Sequence, residues 1–357
     1  MRKSLPPLSR RDFLKAAGAT AGGSILLLVG CRTTRPGESP PPSTAVPAPA
    51  GTPTPLPTRP RQVEITPTES FYVQKYQGVP TVDAATWQLT IDGLVEKPLT
   101  LSYADALARP RAEMMRTLEC IGNPVGGNQI GNATWAGFWL ADLLAEAQVK
   151  PEAVRARFAA ADDYDTSVAL SYLTRPGVLL AYEMNGEPLT PAHGFPLRIF
   201  MPGLYGQKMP KWITRISFID DDSHRGYWEK QGWSETAEVK TNSQIMAPQH
   251  IGKVPPAGVE VFGVAYAGSR RVTSVEVGVE AGRTLTWYPA QILSGPSPEA
   301  WTQFYFSWTP PESTSYTLYV RATDETGFVQ TEPGRGILEG AFPDGTDRIH
   351  NIVVKVG

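Results

Sequence analysis

The sequence predicts an α+β body followed by an all-β sandwich, carried behind a leader and a tether. Three observations predict it. Strand-like and helix-like pieces alternate from about Val63 to about Thr241, short alternating strand runs fill the chain beyond about Asn242, and residues 32–60 hold almost no large apolar side chain. At 357 residues the chain exceeds what one core usually encloses, so two bodies plus a tail are expected.

The leader comes first. Arg10-Arg11 followed by Asp12-Phe13-Leu14-Lys15 resembles a twin-arginine export signal. The apolar run Ala16 to Gly30 is short for a membrane span, which needs about 20 residues, and reads as a signal core. Leu28-Val29-Gly30-Cys31 resembles a bacterial lipobox, so Cys31 is expected to carry the lipid of an extracytoplasmic anchor, the chain's one hold on a membrane. Residues 1–31 form this signal, and residues 32–62, dense in Pro, Ser, Thr and Gly, form a disordered tether. Twin-arginine export moves folded proteins, often with a cofactor already inserted.

The α+β body spans residues 63–241. Trp87-Gln88-Leu89-Thr90-Ile91 alternates and meets the turn signal Asp92-Gly93, as a strand entering a tight turn does. Ser102 before Tyr103-Ala104-Asp105-Ala106-Leu107 predicts a capped helix start, and Leu140, Leu143 and Leu144 predict a helix over Ala136 to Ala147. Gly194-Phe195-Pro196 and Pro202-Gly203 predict loops projecting from the scaffold.

Residues 242–357 follow as a sandwich. Val259–Val264, Val275–Val279 and Tyr316–Val320 alternate at strand length with turn residues between, which predicts an immunoglobulin-like sandwich of structural or dimer-forming character. No cysteine pair crosses it, so it is not of the antibody type.

With 33 Lys and Arg against 35 Asp and Glu, the chain has no charge excess to draw it to nucleic acid or to an anionic membrane. Small molecules or proteins are the expected partners. The two cysteines, Cys31 and Cys120, lie in contexts too different to pair as a disulfide.

Cys120 ends a short apolar run and is followed by Ile121-Gly122-Asn123-Pro124, a turn in which a thiolate can face a cavity. Alone, such a cysteine reads first as a small buried hydrophobe. Further along, His193 and Arg198 stand five apart with Gly and Pro between, which suits a loop around a phosphate or a polar ring, both side chains donating. Pro202 to Trp212 adds glycines that let backbone approach a ligand and two lysines, Lys208 and Lys211, that supply positive charge.

TLECIGNP, LLAYEMNGEPL, HGFPLR, PGLYGQKMPKW and Val239 to Ile245 occur here in the order found in the sulfite oxidase family, and the chain resembles that family from about residue 65 to 355. The resemblance implies a sulfite-oxidase-type molybdopterin domain and a dimerisation domain, hence a homodimer. It also implies one molybdenum per chain, held by a molybdopterin dithiolene and by Cys120, with soft sulfur donors suiting a metal that changes oxidation state. By the same match His193 and Arg198 hold the pterin and its phosphate, Lys211 closes the other side with the backbone of Met209 and Pro210, and Asp162 contacts the cofactor.

The chain departs from the family pattern in two places. Gln74 and Lys75, after Phe71-Tyr72-Val73, stand where sulfite oxidases have an oxyanion-binding Arg and an Asn. Lys230 stands where they have an active-site tyrosine, with Tyr227 just before it, so Tyr227 and Lys230 are the catalytic candidates beside Cys120, and Lys75 and Lys230 would restore the missing charge. Sulfite thus becomes one candidate among small oxyanions, beside S- or N-oxides such as methionine sulfoxide reduced in the opposite direction. Cys-x-x-Cys-His is absent and no extra domain is expected to house a haem, so electrons are expected to pass to or from a separate carrier such as a cytochrome. The reading from another class is a surface lipoprotein that kept the fold without the metal.

Overall fold

A computed structural model describes residues 62–333 and 340–357. The signal, Cys31 and the tether up to residue 61 lie outside the described residues. Among the described residues no helix is long and apolar enough to cross a membrane.

The first sheet runs in the order Leu99–Ser102, Gln88–Gly93, Ile213–Ile219, Arg155–Ala160, Asp165–Ala169. Alternation sets its inner face: Leu89 and Ile91 are fully buried while Thr90 and Asp92, which alternate with them, are half-buried. Gln88–Gly93 pairs in parallel with Ile213–Ile219, Gly93 lying opposite Phe218. There a Cβ would stand 2.2 Å from the Phe218 carbonyl oxygen, and φ is +80°, so only glycine completes this turn. The capped start at Ser102 is present as a full capping box on Tyr103–Leu107, with Ser102 Oγ accepting from the Asp105 amide and Asp105 Oδ2 from the Ser102 amide.

The second sheet is built on the antiparallel pair Ala112–Glu119 and Ile130–Trp139, extended by Leu179–Met184, which also pairs with Arg198–Phe200. The helix expected from Ala136 begins instead at Leu140 and runs to Ala147. Ala136 to Trp139 stay in the ladder with Leu179–Met184, and Trp139, the cap residue, makes no side-chain cap bond that would mark the start in the sequence. The two sheets share a core in which Leu89, Phe158 and Ile216 meet Trp135, Phe138 and Leu180.

Beyond Thr241 every described element is a strand. One sheet runs Asn242–Ala247, Val259–Tyr266, Thr302–Trp308, Gln291–Ser294, and the other Gly252–Val254, His350–Val356, Ser315–Asp324, Val272–Ala281, Thr284–Pro289. Val261 and Phe304 from the first pack with Val277, Leu318 and Ile352 from the second, so the two face each other across a common core. A third cluster, including Ile121, Tyr205, Val239, Tyr266 and Trp301, joins the α+β part to these sheets and reaches the residue next to Cys120.

Candidate functional site

The strand Ala112–Glu119 delivers Cys120 directly into a turn closed by backbone bonds, Cys120 N to Gln129 O and Asn123 N to Cys120 O, each 2.9 Å. Asn123 ties the turn further, its Oδ1 accepting from the Gln129 amide and its Nδ2 donating to Glu119 Oε1, each at 3.0 Å. The thiol is partly exposed and free. Burial pushes its pKa up and the neighbouring Glu119 adds to this, against an opposing bond from the Gly122 backbone, so the isolated group keeps its proton. It opens on a cavity.

His193, Arg198 and Lys211 line the same cavity. Pro191–His193 forms one tight turn ending at Gly194, where φ is +112° and a Cβ would stand 3.1 Å from Lys211 Cβ and 3.2 Å from Arg198 Cβ. That close approach is what brings the three side chains together. Arg198, the first residue of its strand, is buried over the rings of Trp135 and Phe200 and donates from Nη1 to the His193 carbonyl at 3.0 Å. Its Nε is buried without any partner. Burial lowers the guanidinium pKa to about 10. Lys211 Nζ donates to the Ala192 carbonyl at 2.8 Å, and burial, followed by the Arg198 charge, lowers its pKa to about 7.

His193 differs from the expectation in one respect. Its Nε2 lies 3.1 Å from the Thr68 carbonyl oxygen, which can only accept, so Nε2 carries the proton and Nδ1 is left as an acceptor. Burial and the Arg198 charge lower its pKa, which keeps the ring neutral. Arg198 is therefore the donor of the pair.

Gln74, Lys75, Asp162, Met209 and Pro210 also line the cavity. Gln74 Oε1 accepts from Gln129 Nε2 at 3.3 Å, and Asp162 Oδ1 accepts from the Tyr164 amide at 3.2 Å. The two catalytic candidates near the domain end are not brought in: neither Tyr227 nor Lys230 is a lining residue. Lys230 is exposed, and Tyr227 reaches the wall through the rings of Tyr76 and Trp228, centroids 4.4 Å and 4.9 Å away. The residues between and after them, Trp228 and Trp233, take the wall positions instead. Of the two lysines expected to supply charge, Lys208 turns away and pairs with the Glu229 carboxylate in the interior, because an ammonium with no access to water needs a counter-charge.

Sequence reasoning missed the aromatic walls: Tyr72, Tyr76, Tyr164, Trp212, Trp228 and Trp233 all face the cavity. The crowding of Tyr227-Trp228 and Trp233 into seven residues was the available signal. Trp233 stands close to the thiol's turn, since a Cβ on Gly122 would lie 3.4 Å from its ring and 3.8 Å from Cys120 Sγ.

Among the described residues no group of three or more His, Cys, Asp or Glu side chains is placed to hold a metal ion.

Comparisons with known proteins bear on what would fill the cavity. Residues 76–228 match the model of the oxidoreductase molybdopterin binding domain, residues 234–340 that of the Mo-co oxidoreductase dimerisation domain, and residues 7–26 that of the twin-arginine translocation pathway signal sequence. Sulfite oxidase of Arabidopsis thaliana is 28% identical over 82% of this chain and 88% of its own length. An NADPH nitrate reductase of Aspergillus niger is 31% identical over 64% of this chain and 32% of its own. The crystal structure of the sulfane dehydrogenase SoxCD from Paracoccus pantotrophus is similar with a TM-score of 0.67 and 26% identity, covering 82% of this chain and 84% of that one.

Proposed function

The chain belongs to the sulfite oxidase family of molybdopterin-dependent oxidoreductases, and on that premise we propose that it carries one molybdenum, bound through Cys120, and catalyses two-electron oxygen-atom transfer on a small oxyanion or an S- or N-oxide. The observation that carries this reading is the meeting of the Cys120 thiol, in one cavity, with an Arg198 whose buried Nε has no partner. A buried guanidinium N–H left unpaired is costly, and an anionic or carbonyl oxygen of a bound group would satisfy it.

The residues fit the cofactor. Cys120 offers the soft donor, and binding must displace the proton that burial keeps on its sulfur. Arg198 and Lys211 offer positive charge to the phosphate, while the His193 Nδ1 acceptor suits the N–H groups of a pterin. Asp162, Gln74, Lys75 and the backbone at Met209 and Pro210 complete its surroundings. When bound, the cofactor supplies the exchange of an oxygen atom and two electrons. The protein's own share is to hold and orient it and, with Trp228, Trp233 and Tyr76, to keep water from the reacting centre.

Sulfite oxidation is one candidate reaction. The second reading, reduction of an S- or N-oxide, is favoured by two features of the wall: six Tyr and Trp side chains stand in it, and Gln74 is engaged there with Gln129. A doubly charged anion gains little from such a surface, whereas an organic oxide can pack against it.

The twin-arginine signal sends the protein out of the cytoplasm. We further propose that Cys31 is lipidated, that the tether of residues 32–62 holds the body off the extracytoplasmic membrane face, and that a separate carrier such as a cytochrome exchanges electrons with it. In the same reading the molybdopterin body spans residues 63–241, and an immunoglobulin-like sandwich at residues 242–357 joins two copies.

Metal analysis of the purified protein tests the core of the proposal. About one molybdenum per chain is expected, and almost none in Cys120→Ser; a variant that keeps its metal would refute the role of Cys120. Turnover is then compared for sulfite with ferricyanide and for methionine sulfoxide with a reduced viologen. Activity in the second assay alone would remove sulfite as the substrate.

A further inference from the structure

Lys208 points away from the cavity that its neighbours Gln207 and Met209 line. Its side chain is 1% exposed and meets that of Glu229, 2% exposed. Lys208 Nζ also donates to the Ser167 carbonyl at 3.0 Å, and Glu229 Oε1 accepts from Thr166 Oγ1 and Gln207 Nε2, each at 3.0 Å. So dry a pair persists only while both charges keep their partners, and removing either leaves the other uncompensated.

Glu229 lies within the single turn Tyr227–Lys230, beside Trp228 and shortly before Trp233. The Trp233 amide donates to the Trp228 carbonyl at 3.1 Å, so these two wall residues are linked through their backbones. No residue of the turn is itself fully buried, and its ring contact is that of Tyr227 with Tyr76, centroids 4.4 Å apart. Electrostatic ties add to this anchorage. Besides Glu229, Gln207 Nε2 donates to the Ser234 carbonyl at 3.0 Å, and Arg155 Nη2 bonds Asp222 at 2.8 Å and Glu235 at 2.7 Å on either side of the segment. Of the residues held by these ties, Glu229 alone stands between the two tryptophans in sequence. Burial opposes its charge, but the Lys208 ammonium and its hydrogen bonds outweigh this and hold its carboxyl below the ordinary range.

We infer that the buried Lys208–Glu229 pair is a positioning element that seats Trp228 and Trp233 against the cavity and thereby sets the fit of the substrate. The consequence for substrate rests on the oxidoreductase reading above; the seating of the wall does not.

The test is hydrogen–deuterium exchange on the full-length, cofactor-loaded protein, comparing Glu229→Gln, Lys208→Met and the conservative Lys208→Arg. In the first two variants exchange in peptides covering residues 226–234 is expected to rise at least about tenfold, with molybdenum content unchanged. For sulfite with ferricyanide, or methionine sulfoxide with a reduced viologen, KM is expected to rise more than kcat falls, and Lys208→Arg to restore both exchange and KM. Unchanged exchange at 226–234, or a rise spread evenly over the whole chain, would overturn the inference. So would failure of both charge-removing variants to fold while Lys208→Arg folds, since the pair would then hold the general core. Should neither probe be turned over, the functional reading fails, and the exchange pattern still decides the role of the pair.

Discussion

Asn242 Nδ2 stands 2.9 Å from Glu119 Oε2, which ties the first strand of the C-terminal sheets to the residue preceding Cys120. The other Glu119 oxygen accepts from Asn123 Nδ2 at 3.0 Å, on the far side of the turn. One buried side chain thus connects the thiol's turn to the neighbouring sheets, and the stability of those sheets bears on the geometry of the site.

Glu119→Ala would leave the buried Asn123 amide without its acceptor and take from the half-buried Asn242 one of its two, the Lys240 carbonyl remaining at 3.0 Å, at a cost of roughly 1–3 kcal/mol. Because the same bonds shape the turn, the variant is expected to retain less than half of the wild-type molybdenum. Denaturant melts and metal analysis on one preparation check this; an unchanged midpoint with full metal content would show that the turn does not depend on Glu119.

Gly194 and Gly186 make a matched comparison. Both have positive φ, +112° and +83°, but a Cβ at Gly194 would press on Lys211 and Arg198, while nothing lies within 4 Å of one at Gly186. Gly194→Ala is expected to cost about 1–3 kcal/mol and to lose cofactor, whereas Gly186→Ala carries only the backbone strain, about 1 kcal/mol, and keeps the metal. Equal molybdenum contents in the two variants would contradict the packing argument.

Arg198→Lys keeps a positive charge but not the geometry. A lysine lacks the Nε–H and the planar fork, and in so dry a site its ammonium is more easily neutralised than a guanidinium. Molybdenum content and the fluorescence of oxidised pterin released from the protein are expected to fall at least about tenfold. Full cofactor retention would mean that Arg198 serves the fold alone.

Local chemistry made part of this legible beforehand. The capping box at Ser102 and Asp105 is written within four consecutive residues, and the turn at Asp92-Gly93 within two. Cys120, His193, Arg198 and Lys211 could be grouped through ordered motifs, and the cavity contains all four. The start of the helix at Leu140 was not legible, because the strand before it is apolar and its cap residue Trp139 makes no side-chain bond. Lys208 was misread for a different reason. Nothing in its own neighbourhood signals a partner 21 residues away, and a glycine-rich segment with two lysines looks alike whether both face a ligand or one faces Glu229.

His350 provides a pH-dependent check on the C-terminal sheets. Its Nδ1 accepts the Ile245 amide at 3.0 Å, and a Cβ on Gly126 would stand 2.2 Å from its Nε2, so the ring is wedged between the sheet and the loop after Cys120. Burial, with a smaller contribution from His250, lowers its pKa from 6.5 to about 4. As pH falls the unfolded chain takes up this proton first. The contribution of His350 to stability is therefore full above about pH 6.5, declines between there and about pH 4, and has gone below that, about 3 kcal/mol at most in total. Protonation would also turn Nδ1 from an acceptor into a donor facing the Ile245 amide. Urea midpoints at about pH 7 and pH 4.5 are expected to lie further apart for the wild type than for His350→Gln, which cannot titrate. If the separation is the same in both proteins, the acid sensitivity arises elsewhere in the chain.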